Sequence, residues 1–161
     1  MILGHEFFGD ITELNAEDSG FQVGDRVTVY PLITCGSCLV CRTGNAHVCR
    51  DLRLYGIEAP GGMAAYVALP VEVLLKLPTS MTAQAGALLE PYAVGIHAVR
   101  RSPVQPDDTV VVIGAGPIGL LNGLALKVMG VSRVYVSDIK DFRLNLVEQC
   151  GLLPLDAATD D

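Results

Sequence analysis

The spacing of hydrophobic and polar residues divides the 161-residue chain into two parts. Before about residue 95, short alternating runs are separated by glycine-rich turns, and residues 25–30 (DRVTVY) and 65–69 (AYVAL) predict β-strands. Residues 82–101 are rich in alanine and leucine and predict a helical connector that Pro91 interrupts. The first part is therefore expected to be mainly β-structure with an inserted loop.

The second part follows a different pattern. A continuous apolar run at residues 109–113 (TVVVI) leads into a glycine-rich turn, an apolar helix to about Gly130 and a second run at residues 133–137 (RVYVS). This order predicts a βαβ unit. A further helix is predicted from about Lys140 to Cys150, where we interpret Cys150 as a buried helix residue.

These patterns together predict an α/β chain. We expect a partial β-rich domain over residues 1–95, followed over residues 96–161 by part of a doubly wound parallel sheet. The composition, 50% hydrophobic and 18% charged, suits a globular protein with a packed core.

The charge and hydropathy patterns exclude several classes of function. The formal net charge is −7, and the basic residues are scattered apart from the pair Arg100-Arg101, which argues against a nucleic-acid-binding surface. No apolar run of about 18 residues and no signal-peptide pattern occurs. We therefore expect a cytoplasmic protein that does not associate with a membrane.

Four of the five cysteines lie within 15 positions, in the pattern C-x2-C-x2-C-x7-C: Cys35, Cys38, Cys41 and Cys49. Such spacing predicts a tetrahedral zinc site, and a closed shell of four thiolates leaves no position for substrate, so the zinc would be structural. An iron–sulfur cluster is the alternative, but that pattern requires a Cys-Pro soon afterwards, and here Arg50 follows the last cysteine. His47 is a competing ligand that we interpret as a solvated loop residue.

A glycine-rich sequence of the form G-x-G-x-x-G joins the predicted strand to the predicted helix: Gly114, Ala115, Gly116, Pro117, Ile118 and Gly119. This context predicts a dinucleotide-binding turn, in which the first glycine makes the turn, the second admits the pyrophosphate and the third allows close strand–helix packing. The alternative is that these glycines serve packing alone.

An acidic residue, Asp138, ends the next predicted strand. At this position a carboxylate accepts hydrogen bonds from the ribose hydroxyls and repels a 2′-phosphate, so it favours NAD over NADP. Arg143 leaves the alternative open, because a nearby guanidinium can receive that phosphate.

Several motifs occur in the order found in the zinc-dependent medium-chain alcohol dehydrogenases: G-H-E-F-F-G at residues 4–9, G-D-R-V at residues 24–27, the cysteine lobe, L-L-E-P at residues 88–91 and G-A-G-P-I-G at residues 114–119. The resemblance spans essentially the whole chain. It implies a partial GroES-like catalytic domain with a zinc lobe at residues 35–49, followed by a partial Rossmann domain. The Glu-Pro form of the fourth motif resembles the sorbitol, xylitol and butanediol dehydrogenases.

Carried over residue by residue, the resemblance implies that His5 and Glu90 ligate a catalytic zinc and that Glu6 lies beside the metal. It further implies transfer of a hydride from a secondary alcohol or polyol to NAD. We also expect a homo-oligomer, either a dimer or a tetramer.

One feature departs from the family pattern. In the family a first catalytic cysteine and a proton-relaying serine or threonine precede the G-H-E motif by some tens of residues, whereas this chain begins at Met1, close to His5. An alternative is therefore a truncated, catalytically incomplete remnant that keeps the thiolate zinc. A zinc-free, NADPH-using quinone reductase relative is a further alternative, and the four-cysteine lobe, His5-Glu6 and Asp138 argue against it.

Overall fold

The computed structural model describes residues 1–16 and 18–159, which fall into two compact units, Met1–Glu90 and Pro91–Asp161. The predicted domain boundary between residues 95 and 96 lies slightly further along, inside the helix Leu89–Arg101. The assignment of residues 1–95 and 96–161 to two domains therefore stays a prediction.

The first unit is built on short antiparallel strands: β1 (Phe8–Asp10), β2 (Arg26–Val29), β3 (Leu32–Ile33), β4 (Arg53–Leu54) and β5 (Leu74–Lys76). One sheet has the order β1-β2-β5, and β3 pairs with β4. Val27 and Val29 of the central strand are buried, so the alternation at residues 25–30 correctly predicts β2. The β3–β4 pair brackets the cysteine-rich segment, which contains the short helix α1 (Leu39–Arg42) and a 3₁₀ turn at Ala46–Val48.

The predicted strand at residues 65–69 is wrong, because the structure has no strand there. A strand needs a neighbour that pairs with its backbone groups, and none of the strands β1 to β5 pairs with this segment. The alternation of residue types alone does not supply that partner.

The alanine-rich connector is helical, as expected, and forms α2 (Ala83–Ala87) and α3 (Leu89–Arg101). The interruption lies at Leu88, however, and not at Pro91, which sits in the first turn of α3. Proline is tolerated there because the N–H groups of a first helical turn have no partner within the helix.

The second unit contains the predicted βαβ arrangement: β6 (Thr109–Ile113), α4 (Pro117–Val128), β7 (Arg133–Asp138), α5 (Asp141–Gln149) and β8 (Leu153–Asp156). Its strands are parallel, in the order β6-β7-β8. The core is apolar, and Val136 of β7 and Val147 of α5 are fully buried. The α/β fold class is thus confirmed.

Two details of the second unit differ from expectation. Cys150 is only half-buried, because it caps the end of α5 instead of lying inside it. β8 was not predicted, since its sequence LPLD contains a proline and only one apolar residue on either side of it. Proline is compatible with this strand because β8 pairs on one side only, with β7.

Within residues 1–16 and 18–159, no helix is both long enough and apolar enough to cross a membrane.

Candidate functional site

The four clustered cysteines meet in the loop between β3 and β4. Their sulfur atoms all lie within 4.8 Å of one another, with Sγ–Sγ distances of 3.4 Å between Cys38 and Cys41 and 3.5 Å between Cys35 and Cys49. Helix α1 starts directly after Cys38 and brings Cys41 back toward it, and the 3₁₀ turn delivers Cys49. All five cysteines of the chain are free thiols, so no disulfide competes for this cluster.

Backbone N–H groups point at the sulfur atoms of this cluster. Cys38 N–H donates to Cys35 Sγ at 3.4 Å, while the N–H groups of Cys35 and Asp51 donate to Cys49 Sγ at 3.3 and 3.4 Å. The backbone of the loop thus orients two of the four sulfur atoms, Cys35 Sγ and Cys49 Sγ. The thiolate is the form of cysteine that binds metal.

The thiol pKa values show why a cation fits this cluster. Hydrogen bonds from the backbone N–H groups of Cys38 and Ser37 lower the pKa of Cys35 to about 6. Burial, together with neighbouring thiols, raises the pKa of Cys41 to about 12. A bound cation would favour the thiolate form of every cysteine in the cluster, and four sulfur donors within 4.8 Å of one another suit zinc. His47 is not part of the four-sulfur group.

A second group of metal-binding side chains also lies within the first unit. One ligand atom from each of His5, Glu6 and Glu90 lies within 4.8 Å of the others. His5 and Glu6 come just before β1, whereas Glu90 lies in the first turn of α3. Burial raises the pKa of the Glu90 carboxyl, His5 opposes this shift and the Glu6 carboxylate adds to it. A bound cation would stabilise two carboxylates held this close together beside one imidazole.

Backbone hydrogen bonds hold the segment that carries His5. The N–H groups of residues 61, 62 and 63 donate to the carbonyl oxygens of residues 2, 4 and 3, each at 2.9 Å. A Cβ atom on Gly61 would overlap the Gly4 carbonyl, and one on Gly62 would overlap the Phe7 ring. The contact between Gly61-Gly62 and the segment that carries His5 was not predicted from the sequence, although two adjacent glycines are a signal of close backbone approach.

The glycine-rich turn has the form that the sequence predicts. Gly114 follows β6 with a φ of +94°, and its N–H donates to the Ser137 carbonyl of β7 at 2.8 Å. Gly116 precedes α4, and Pro117 and Ile118 begin the helix. Gly119 packs so closely on the Gly114 carbonyl that a Cβ atom would overlap it. The turn thus presents a helix N-terminus with room for a phosphate beside Gly116.

Asp138 ends β7, and both of its carboxylate oxygens accept hydrogen bonds. Oδ2 accepts from Ala115 N–H at 3.0 Å and from Arg143 Nη1 at 3.1 Å, and Oδ1 accepts from the N–H groups of Ile139 and Lys140 at 2.9 and 3.1 Å. Burial raises the pKa of Asp138, but these bonds outweigh it and hold the pKa below its usual range. The carboxylate therefore ties the glycine-rich turn to the end of β7, a role that the sequence did not reveal.

Comparisons with known proteins show which proteins this chain is similar to. Residues 1–79 match the alcohol dehydrogenase GroES-like domain. The chain is 38% identical over 152 residues to the L-idonate 5-dehydrogenase of Vitis vinifera and to the sorbitol dehydrogenase of Arabidopsis thaliana, and each match covers 94% of this chain and 42% of the relative. A crystal structure of a zinc-binding dehydrogenase from Sinorhizobium meliloti 1021 bound to NADP superposes with a TM-score of 0.94 at 34% identity, covering 99% of this chain and 47% of that one. The chain carries an alcohol dehydrogenase GroES-like domain and is similar over nearly its whole length to zinc-binding and polyol dehydrogenases.

The chain spans less than half the length of the relatives that it matches. Within the span, the structure brings together each predicted group of site residues: the four thiols, the His5-Glu6-Glu90 group, and the glycine-rich turn with Asp138 and Arg143.

Proposed function

We propose that the chain supplies the metal-binding and cofactor-binding residues of a zinc-dependent enzyme that oxidises a secondary alcohol, a polyol or a diol, to a ketone and transfers the hydride to NAD. The convergence of His5, Glu6 and Glu90 carries this proposal, because catalytic zinc sites combine nitrogen and oxygen ligands with one open position. Two relatives that are named for idonate and sorbitol support a polyol-type substrate.

The side chains divide the work between them. His5 and Glu90 would hold the catalytic zinc, and the exposed Glu6 beside them would contribute a further carboxylate. Zinc bound there would act as a Lewis acid that lowers the pKa of a coordinated alcohol. The cysteines of the lobe would hold a second, structural zinc that substrate cannot reach, because a four-thiolate shell is closed.

The dinucleotide would bind at the glycine-rich turn, with its pyrophosphate at the N-terminus of α4. The ionised Asp138 at the end of β7 favours NAD, because a carboxylate repels a 2′-phosphate. Arg143 holds one oxygen of that carboxylate and partly offsets its charge, and the Sinorhizobium neighbour binds NADP. The ratio of kcat/KM for NAD and NADP measures this preference, and a ratio that favours NADP would contradict the role given to Asp138.

Zinc analysis with an activity assay tests the proposal. We expect about two zinc ions per chain and alcohol-dependent formation of NADH. Glu90→Ala should lower the zinc content to about one per chain and abolish turnover, since it removes a ligand of the open site alone. Glu72→Ala, at an exposed carboxylate in the same unit, is the matched control and should keep both zinc ions.

Two results would contradict the proposal. An unchanged zinc content in Glu90→Ala would show that this residue is not a ligand. A single zinc without turnover in the unaltered protein would identify the catalytically incomplete alternative. The cytoplasmic location and the homo-oligomer are further parts of the proposal, and light scattering during size-exclusion chromatography measures the latter.

A further inference from the structure

The three residues of the proposed catalytic site come from opposite ends of the first unit. His5 and Glu6 lie before β1, and backbone hydrogen bonds to residues 61–63 hold that segment. Thr28 of β2 adds a bond on the other side, from its Oγ1 to the Phe7 carbonyl at 3.0 Å. Glu90 comes from the far end of the unit, just after α2. A separate contact must therefore fix the distance between Glu90 and the other two residues.

Helix α2 rests directly on an aromatic ring of β1. Gly86 is buried in α2, and a Cβ atom built on it would lie 2.8 Å from Phe8 Cγ, 3.1 Å from Cδ2 and 3.2 Å from Cδ1. A real Cβ atom essentially never comes closer than 3.0 Å to another heavy atom, so the backbone of α2 approaches the ring as closely as a glycine allows. Any larger residue must move either the helix or the ring.

Arg26 ties the segment before α2 to the same strand pair. Its guanidinium donates to the carbonyl oxygens of Thr79 and Met81, at 3.3 and 2.9 Å, and also pairs with Asp10 of β1 at 2.9 Å. The same group lies 5.8 Å from the centroid of the Phe8 ring, within the range of a cation–π contact. The ring is thus held in place beneath α2, and the entry to α2 is held beside it.

We propose that Gly86, seated on Phe8, is a positioning residue that sets the distance from Glu90 to His5 and Glu6. The inference rests on the proposed function, since it concerns the proposed catalytic zinc site. Phe8 lies two residues after Glu6, and Gly86 lies four residues before Glu90, so the contact joins the two sides of the site through short, ordered segments. A metal site tolerates errors in ligand distance of only about 0.2 Å, so a small shift of α2 disturbs it.

Gly86→Ala tests the inference when the affinity for the metal of the His5-Glu6-Glu90 site is measured by chelator competition and by the absorption spectrum of the cobalt-substituted protein. We expect the affinity for that metal to fall about 10- to 100-fold, the range seen when residues that support metal ligands are changed. The thiolate lobe should stay filled. Gly9→Ala is the matched control, because it makes the same change on β1 at a position with no atom within 4 Å of the new Cβ.

A compensating change separates positioning from general loss of stability. Phe8→Leu removes ring atoms from beneath α2, so the double variant Phe8→Leu with Gly86→Ala should recover most of the lost affinity. Phe8→Leu alone should weaken metal binding several-fold, because α2 loses its support. If Gly86→Ala fails to fold, the metal affinity of Phe8→Leu at the His5-Glu6-Glu90 site tests the inference. A several-fold loss supports it, and an unchanged affinity overturns it.

An affinity within twofold of the unaltered protein in Gly86→Ala would overturn the inference, as would a double variant with no recovery. The outcome is distinguishable from failure of the proposed function. If Glu90→Ala keeps both metals, the catalytic site itself is wrong. If Glu90→Ala loses one metal and Gly86→Ala loses none, only the positioning role is wrong.

Discussion

Two glycines of the glycine-rich turn have different surroundings, because one packs against backbone and the other faces open space. The same substitution at both positions therefore provides a test with an internal control. Gly119 packs against the carbonyl oxygen of Gly114, and both sides of this contact are backbone. Gly116 has no atom within 4 Å of a built Cβ, and its φ of −70° and ψ of 176° suit any residue. The same substitution, glycine to alanine, should therefore affect folding at one site and not at the other.

The size of the stability loss in Gly119→Ala depends on which atoms must move to make room for the new methyl group. At Gly119 the new methyl group overlaps a carbonyl oxygen that belongs to a turn fixed by the Gly114 N–H bond to Ser137, so no flexible side chain can relieve the overlap. Overpacking costs about 1–3 kcal/mol, and a contact with fixed backbone belongs at the upper end. For a unit of this size, a loss of about 3 kcal/mol lowers Tm by roughly 10–20 °C.

At Gly116 we expect the change in stability to be zero or of the opposite sign. Alanine restricts the unfolded chain more than glycine does, so Gly116→Ala should leave stability unchanged or raise it by about 0.4–1 kcal/mol. Its methyl group occupies the open space where the pyrophosphate is proposed to approach the N-terminus of α4, so the affinity for NADH should fall.

Calorimetry and NADH fluorescence titration on the unaltered protein and on both variants give a Tm and an NADH affinity for each of the three proteins. We expect a low Tm for Gly119→Ala, and a normal Tm with weak NADH binding for Gly116→Ala. Equal changes in Tm for the two variants would refute it, because both glycines would then serve packing alone. A normal Tm in Gly119→Ala would show that the turn yields to the added methyl group.

Two further predictions concern the first unit. The hydrogen bond from Lys76 Nζ to Asp25, 2.7 Å long, holds the pKa of this carboxyl below its usual 3.8. A carboxyl with a lowered pKa stabilises the fold at pH values above its unfolded-state pKa and loses that effect as the pH falls through its folded-state pKa. Compared with the unaltered protein, Asp25→Asn should therefore be less stable at neutral pH and equally stable well below pH 3.8. Urea unfolding measures the difference in stability between the two proteins, and a difference that stays constant across this pH range would contradict the prediction. Cys49→Ser should lose one zinc ion per chain and expose residues 35–51 to protease. The control is Cys150→Ser, at a half-buried cysteine outside the cluster, which should keep the zinc. A full zinc content in both variants would exclude the lobe as a metal site.

The second unit was the more predictable from sequence, because its signals are local and mutually consistent. The run TVVVI is β6 residue for residue, and the glycine-rich turn fixes where α4 begins. The cysteine cluster was predictable for the same reason, since its four ligands lie in one loop. In each case the residues that interact are close along the chain.

Features that depend on distant partners were not predictable in this way. The segment at residues 65–69 pairs with none of the strands β1 to β5, and β8 was missed because its sequence contains a proline. Nothing in the spacing of His5 and Glu90 indicates that they meet, and only the family resemblance supplied that expectation. The seat of Gly86 on Phe8 left no signal other than a glycine within a helix.

Asp138, for which we propose a role in cofactor preference, is also part of the hydrogen-bond network of the fold. Its carboxylate accepts hydrogen bonds from three backbone N–H groups, one of them in the glycine-rich turn, and from Arg143. A residue without a side-chain acceptor, such as alanine, would remove the charge proposed to repel a 2′-phosphate and would also release Ala115 N–H from its partner. In the proposed enzyme, a change of cofactor preference at Asp138 therefore loosens the turn that binds either cofactor. Arg143 is the less costly position for such a change, because its side chain is 43% exposed and its bond to Asp138 is one of several that the carboxylate accepts.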